Sequence, residues 1–434
     1  MNKLKPLHKI TAVTGFALVV ANMIGTGAFT SLGFQLVELQ NPTTILILWV
    51  LGGVIALSGA FSYAEIGSNI QKSGGEYAFL SKLFHPIIGY LSGWISITVG
   101  FAAPIALSAI AFVAYFPYLN MYPKVLSIAL IGLITAIHTL SLSVSSKFQN
   151  VSTFLKVVFV MVLIGIGLVS SPTSDHVLAL NQIEFSEIIS PAFAIALIYV
   201  SYSYSGWNAA AYIIEEFKNP KKSLPIALIG GTLLVTVLYT LLQYIFLKHV
   251  PMNELQGELD VGTIAMSKIL GAQYGSLFGL AISLLLLSGL SAMIWVGSRV
   301  TSSIAKDHNA WRFFRTEGDQ LPIRALWFQF LVSAILIVTG TFEQILIYCG
   351  ILLTISSMVT VFGVFKLRRN QKDVDTNAFK SPLFPMFQII FILLSLWMVS
   401  YAFINKPLET LIGFLNILLG LATYFWSIKK QKLQ

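Results

Sequence analysis

The stretch Thr14–Leu36, TGFALVVANMIGTGAFTSLGFQL, is uncharged and long enough to cross a bilayer as a helix, yet its middle is Gly25-Thr26-Gly27, with Gly33 further on. Each glycine costs a helix interior about 1 kcal/mol relative to alanine. Two of them around a threonine invite the helix to open at membrane depth. Opened backbone is tolerated there only where protein buries it or where it lines a cavity.

The uncharged apolar pattern recurs along the 434-residue chain, which is 56% hydrophobic and 10% charged. Soluble domains carry roughly 25% charged residues. The runs are too long for the alternating strands of a barrel, so the chain reads as an all-α integral membrane protein. Twelve transmembrane helices are predicted, at about 12–36, 43–68, 87–114, 124–141, 150–170, 188–212, 225–247, 272–300, 322–340, 343–365, 383–403 and 409–427. The connections are short, so residues 1–434 are expected to form a single polytopic domain. Met1–Ile10 is short and basic and leads into a run too long for a cleavable signal, so no cleaved leader is expected.

With the N-terminus in the cytoplasm, 22 of the 27 Lys and Arg residues fall on the inner side, with clusters at Lys218, Lys221 and Lys222 and at Lys429, Lys430 and Lys432. Outside lie only Lys124, Lys248, Lys268 and Lys406, and Lys156 falls within a span. This bias places both termini in the cytoplasm. The net charge of +9 is then a topology signal. No basic stripe interleaves with aromatics outside the spans, so no nucleic-acid partner is expected. GxxxxGK[ST], HExxH and GxSxG are all absent, which argues against an enzyme. The six histidines form no pair at ligand spacing, and the lone Cys349 excludes an internal disulfide, so neither metal nor cofactor is expected. His138, the one histidine within a span, reads as a hydrogen-bonded structural imidazole rather than a proton relay.

A second interruption is expected in the sixth span. Its centre, Tyr202-Ser203-Tyr204-Ser205-Gly206-Trp207-Asn208, is small and polar where lipid would demand leucine. Close helix packing through small residues would explain either segment alone. Together they occupy spans one and six of twelve, corresponding positions in two five-helix repeats over 12–170 and 188–365, followed by two additional helices over 383–427. In inverted-repeat secondary transporters, such broken helices turn free N–H groups and a positive helix end toward an anionic substrate group.

Four ordered motifs carry a family resemblance. They are Ile24-Gly25-Thr26-Gly27-Ala28-Phe29; Tyr63-Ala64-Glu65-Ile66-Gly67 with Ser73-Gly74-Gly75-Glu76-Tyr77; Tyr204-Ser205-Gly206-Trp207-Asn208 with Glu215-Glu216, Asn219-Pro220 and Leu224-Pro225; and Gly297-Ser298-Arg299 with Ala305-Lys306-Asp307. Over nearly its whole length the chain resembles the amino acid–polyamine–organocation (APC) superfamily transporters, particularly their L-type amino acid transporter branch. Gln71 stands where proline is usual and Lys306 where arginine is frequent, both in the cytoplasmic gating region. The resemblance implies a LeuT-type inverted repeat with helices 1 and 6 broken, in the plasma membrane.

An α-amino acid carries a carboxylate and an ammonium on one carbon. Opening the first helix frees the N–H groups of Thr26, Gly27 and Ala28, which with the Thr26 hydroxyl suit the carboxylate. Opening the sixth frees carbonyls of Tyr202, Ser203 and Ser205, which with that of Met23 suit the ammonium. The resemblance implies the same roles. It also makes Tyr202 the aromatic that closes over the substrate, while Asn208 orients the opened segment. Spans three, six and eight carry no carboxylate near mid-membrane, which favours a neutral substrate over a cationic amino acid or polyamine.

Lys156 would lie about 9 Å deep, counted from Asn150 at 1.5 Å per residue. It either snorkels back to the surface or, as the Gln149…Thr153…Lys156 resemblance implies, replaces a sodium ion between the first helix and the eighth, near Ser288 or Ser291. The expectation is a sodium-independent carrier working as exchanger, uniporter or proton symporter. A membrane receptor that binds a metabolite without moving it is the alternative of another class. Eukaryotic relatives join a glycoprotein through a cysteine after helix three; residues 115–124 contain none, so no disulfide-linked heavy chain is expected, and the expected partners are a small-molecule amino acid and membrane lipid.

Overall fold

The computed structural model describes residues 10–116, 121–140, 145–172, 183–316, 320–370 and 376–431. The basic residues up to Lys9, Lys432, and the side chains of Gln149 and Thr153 lie outside the described residues. The described chain is helical, and its only extended pairing is one bridge between Ile10 and Phe217. Nine of the described helices are long and apolar enough to cross a membrane, among them Ala12–Glu38, Pro42–Ile70 and Pro86–Tyr115. Four shorter apolar helices accompany them: Phe154–Val169, Pro191–Ser203, Val261–Leu270 and Ile323–Thr339.

Helix occupies every predicted span, with shifted bounds. The eighth helix runs over Ala272–Asp307 and the tenth over Phe342–Arg369, each past its apolar run. Hydropathy marks only the part that suits lipid, whereas backbone hydrogen bonding carries the helix on into segments ending in Lys306, Arg368 and Arg369. The sixth is shorter than its apolar run, being α-helical only over Pro191–Ser203.

Within Pro86–Tyr115 one wide turn, Ser96–Gly100, separates two α-helical pieces. Pro104 accounts for its position. Proline has no N–H to give the carbonyl four residues back, and its ring crowds that carbonyl; a wider turn absorbs both effects.

The connection at 248–271 folds back over the bundle. The amide of Gly257 donates to the Gly33 carbonyl at 2.8 Å, and a Cβ at position 33 would lie 2.1 Å from the Glu258 carbonyl oxygen. Gly33 is the residue that lets this loop lie on the helix. Tyr115 ties the two together: its hydroxyl donates to the Phe29 carbonyl (2.7 Å) and accepts from the Gly262 amide (3.1 Å).

Charges inside the bundle are few and held in place. Glu65, 1% exposed, accepts from Arg368 at 2.7 and 2.8 Å and from the Ser381 amide at 2.8 Å, and the same guanidinium lies 3.9 Å over the Phe384 ring. This cluster joins the ends of Pro42–Ile70 and Phe342–Arg369 to the segment leading into Met386–Asn405. Arg368→Ala strands Glu65 as a buried, unpaired charge. We expect it to lower the stability of the detergent-solubilised protein by on the order of 3 kcal/mol, read as a fall in thermal-unfolding midpoint that Glu65→Gln/Arg368→Ala partly restores.

Candidate functional site

The first helix stops at Met23 and a second begins at Gly27. Between them Ile24 is extended (φ −71°, ψ 96°), and no side chain caps the first turn of Gly27–Glu38. The opening N–H groups of any helix lack intrahelical partners, and here those of Gly27 and Ala28 start a half-helix in mid-bundle. Neighbouring side chains take up the nearby carbonyls. Tyr239 donates its hydroxyl to the Met23 carbonyl, and Gln243 Nε2 donates to that of Ala28 at 2.9 Å.

The sixth helix ends at Ser203 in a tight turn, the Ser205 amide donating to the Tyr202 carbonyl at 2.8 Å. Gly206 then adopts φ +97°, and a Cβ there would meet the Asn22 carbonyl carbon and oxygen at 2.8 Å. Both its left-handed backbone and this close approach to the first helix require glycine. A 3₁₀ segment, Ala209–Glu216, continues from Asn208.

The half-helices Gly27–Glu38 and Pro191–Ser203 pack directly on each other. A Cβ at position 27 would lie 2.5 Å from both Cα and Oγ of Ser203. Beside this contact Ser31 Oγ donates to the Gly27 carbonyl (2.6 Å) and lies 3.0 Å from Ser203 Oγ, which donates to Tyr199 (2.8 Å).

Two cavities adjoin the breaks. The smaller, about 50 Å³, is walled by residues 21–27 together with Tyr202, Ser203, Ser205, Lys156 and Gly289. The larger, about 340 Å³, shares Asn22, Tyr202 and Ser205 with it and extends past Asn208 to Tyr212, Glu216 and Trp295. At the opposite end Phe34 stacks on Phe342 (centroids 5.6 Å apart) and packs against Tyr199, whose hydroxyl donates to Glu343 at 2.6 Å; Lys406 donates to the same carboxylate at 2.9 Å.

A family model described as amino acid permease matches residues 10–425. The chain belongs to that family. This permease is similar to the b(0,+)-type amino acid transporter 1 of Mus musculus, at 29% identity over 96% of this chain and 87% of the relative. It is also similar to the Asc-type amino acid transporter 1 and the large neutral amino acids transporter small subunit 2 of Mus musculus, each at 26% identity over 97% of this chain and 81% of the relative. Family and relatives are carriers rather than enzymes.

The smaller cavity of the permease gathers Met23, Thr26, Gly27, Tyr202, Ser203, Ser205 and Lys156. Ala28 is fully buried, and Asn208 stands on the wall of the larger cavity. The carbonyl of Met23 accepts from the Tyr239 hydroxyl, and that of Tyr202 accepts from the Ser205 amide at 2.8 Å. Lys156 is 4% exposed, and its Nζ lies 3.2 Å from where a Cβ on Gly289 would stand. Ser288 and Ser291, expected beside it, do not line this cavity. Ser288 donates to Leu285 of its own helix (2.9 Å), and Ser291 Oγ lies 2.9 Å from His138 Nε2. The difference is one of helical phase, since the turn that faces Lys156 presents Gly289. The Ser291 contact also gives the His138 imidazole a hydrogen-bonding partner.

Glu76 is the wall residue that reasoning from the spans missed, because it belongs to a connection. Gly74 (φ +118°) and Gly75 (φ +55°) turn the chain so that the helix Gly75–Leu83 starts inside the bundle, with Glu76, 4% exposed, in its first turn. A carboxylate suits that position. It accepts from Tyr63 (2.8 Å), from Tyr212 (2.6 Å) and from Asn208, so the segment after the second break is pinned to it. In the sequence Glu76 stood out as part of the Ser73-Gly74-Gly75-Glu76-Tyr77 motif, an acid directly after a glycine pair in a charge-poor chain, but nothing there placed it on the cavity wall.

Gly27 has no room for a side chain against Ser203, so Gly27→Val must part the two half-helices. We expect amino acid uptake into proteoliposomes to fall to background while expression and monodispersity persist, with Gly27→Ala intermediate. Undiminished uptake by the valine variant contradicts the contact.

Proposed function

We propose that this permease is a sodium-independent secondary transporter of neutral L-amino acids across the plasma membrane, working by alternating access as exchanger, uniporter or proton symporter. The observation that carries this reading is the juxtaposition of the two interruptions around one cavity, N–H groups from the first and carbonyls from the second. In this reading Thr26, Gly27 and Ala28 hold the carboxylate. The carbonyls of Met23, Tyr202, Ser203 and Ser205 receive the ammonium, Tyr202 closes over the substrate, and Asn208 steadies the opened segment through Glu76. Main-chain recognition reads what all amino acids share, which suits a carrier of several substrates.

The chain then crosses the membrane twelve times with both termini in the cytoplasm, as the basic bias supports. Its first five spans (12–170) and second five (188–365) form the repeats, and 383–427 adds two helices. The Phe34–Phe342 end faces outward, and the larger cavity reaches toward the cytoplasm. Lys156 takes the place of a sodium ion beside the first break, with Gly289 in place of the serines. Residues 115–124 lack cysteine and Cys349 is buried, so we assign no disulfide-linked partner.

A second reading, a carrier of cationic amino acids or polyamines, is favoured by one observation: the carboxylates of Glu76 and Glu216 both line the larger cavity. The neutral reading rests on the smaller cavity, whose wall holds Lys156 and no carboxylate.

Uptake of labelled leucine and alanine into proteoliposomes, with and without sodium and with lysine and putrescine as competitors, tests these readings. We expect equal uptake in both media, weak competition by the cations, and loss of uptake in Lys156→Ala. Sodium-dependent uptake overturns the ion assignment, and dominant lysine or putrescine transport overturns the substrate class. Binding without flux identifies a receptor.

A further inference from the structure

The larger cavity has a wall that the carboxylate and ammonium assignments leave unused. It is contributed by Pro42–Ile70, Phe342–Arg369 and, unexpectedly, Met386–Asn405, the first of the two helices outside the proposed repeats. Its apolar surface comes from Ile55, Phe391 and Met398, and among the hydroxyls set into it are those of Thr354 and Ser395, with that of Ser201 beside them on Pro191–Ser203.

These hydroxyls are poorly satisfied. Ser395 is fully buried, and its Oγ has no hydrogen-bond partner among the described residues. Thr354 is 9% exposed, and among the described residues no hydrogen bond engages its hydroxyl. Ser201 Oγ reaches only the thioether of Met398, at 3.5 Å, and thioether sulfur is a weak acceptor. Serine and threonine in a helix commonly bond back to a carbonyl one turn earlier, as Thr360 of the same helix does to Ser356 at 2.9 Å. A buried hydroxyl left without a partner is unfavourable, and two of them on one cavity wall, beside a third held only by a thioether, point to a ligand that supplies the missing atoms.

We infer that this wall is the side-chain subsite of the carrier, and that it takes a polar, uncharged side chain, hydroxyl or carboxamide, in preference to the aliphatic isostere. The inference rests on the carrier reading above and adds the class of side chain. An aliphatic group leaves the hydroxyls orphaned, whereas a hydroxyl or carboxamide both donates and accepts and so satisfies them whichever way each is turned. Of the two carboxylates on this cavity, Glu76 is already occupied by three donors and Glu216 lies under the charge of Arg299, so a cationic side chain finds no unengaged counter-charge.

Competition for uptake in proteoliposomes by the near-isosteric pairs threonine and valine, asparagine and leucine, and glutamine and methionine tests it. The wild-type protein is expected to favour the polar member of at least one pair. Ser395→Ala, and separately Thr354→Val, should reduce that preference by roughly fivefold while leaving uptake of the aliphatic member intact. A wild-type preference for the aliphatic members overturns the subsite, as does an unchanged ratio in both variants. Variants that alter thermal stability with the ratio intact also overturn it, because the hydroxyls then serve only packing. Absence of flux for every amino acid in the wild-type protein overturns the carrier reading itself, which separates the two failures.

Discussion

The architecture depends on how closely two backbones approach where Gly27–Glu38 meets Pro191–Ser203. At Gly27 there is no space for even one methyl group, and at Gly206 the sixth segment comes as near to Asn22 of the first. Such proximity lets main-chain groups from both helices face one small volume. It also exposes a cost, because broken helices at membrane depth leave polar backbone groups without partners. Side chains offset that cost. Tyr239, Gln243 and Tyr115 engage carbonyls on either side of the first break, and Asn208 anchors the second to Glu76. The groups at the cavity face are the ones that the proposed carrier would use for substrate.

The fold's outline was legible because lipid is a severe filter. Uncharged runs of helical length have one use, and glycine pairs inside them stand out. The breaks at Gly25-Thr26-Gly27 and around Gly206 could be located for that reason, and the carbonyl of Met23 and the residues Tyr202, Ser203 and Ser205 meet at one cavity. What hydropathy could not show lay in connections and in helical phase. Glu76 reaches the cavity from a loop helix, and the 248–271 segment folds onto Gly33 instead of crossing solvent. Gly289, not Ser288 or Ser291, faces Lys156, since one residue is 100° of rotation and the span's apolar pattern does not fix the phase. The wide turn at Ser96–Gly100 was hidden because proline announces a disturbance without saying which turn absorbs it.

The few ionised groups divide by task. Glu65 with Arg368, and Glu343 with Lys406 and Tyr199, hold helix ends together at opposite ends of the bundle. Glu76 holds an interrupted segment through neutral donors alone. Lys156 stands beside the first break, buried and within reach of the same small cavity. Under the proposed alternating-access reading the closures must be undone, and hydrogen-bonded carboxylates at both ends fit that requirement better than continuous apolar packing.

Recognition of a zwitterion chiefly by main chain is the claim on which the functional account rests. Equilibrium competition against labelled leucine on the purified protein tests it, comparing leucine with its amine lacking the carboxylate and its carboxylic acid lacking the ammonium. The account predicts that each analogue binds at least about 100-fold more weakly, since each forfeits charge-assisted hydrogen bonds to one of the two breaks. Competition by either analogue within a few-fold of leucine would contradict it.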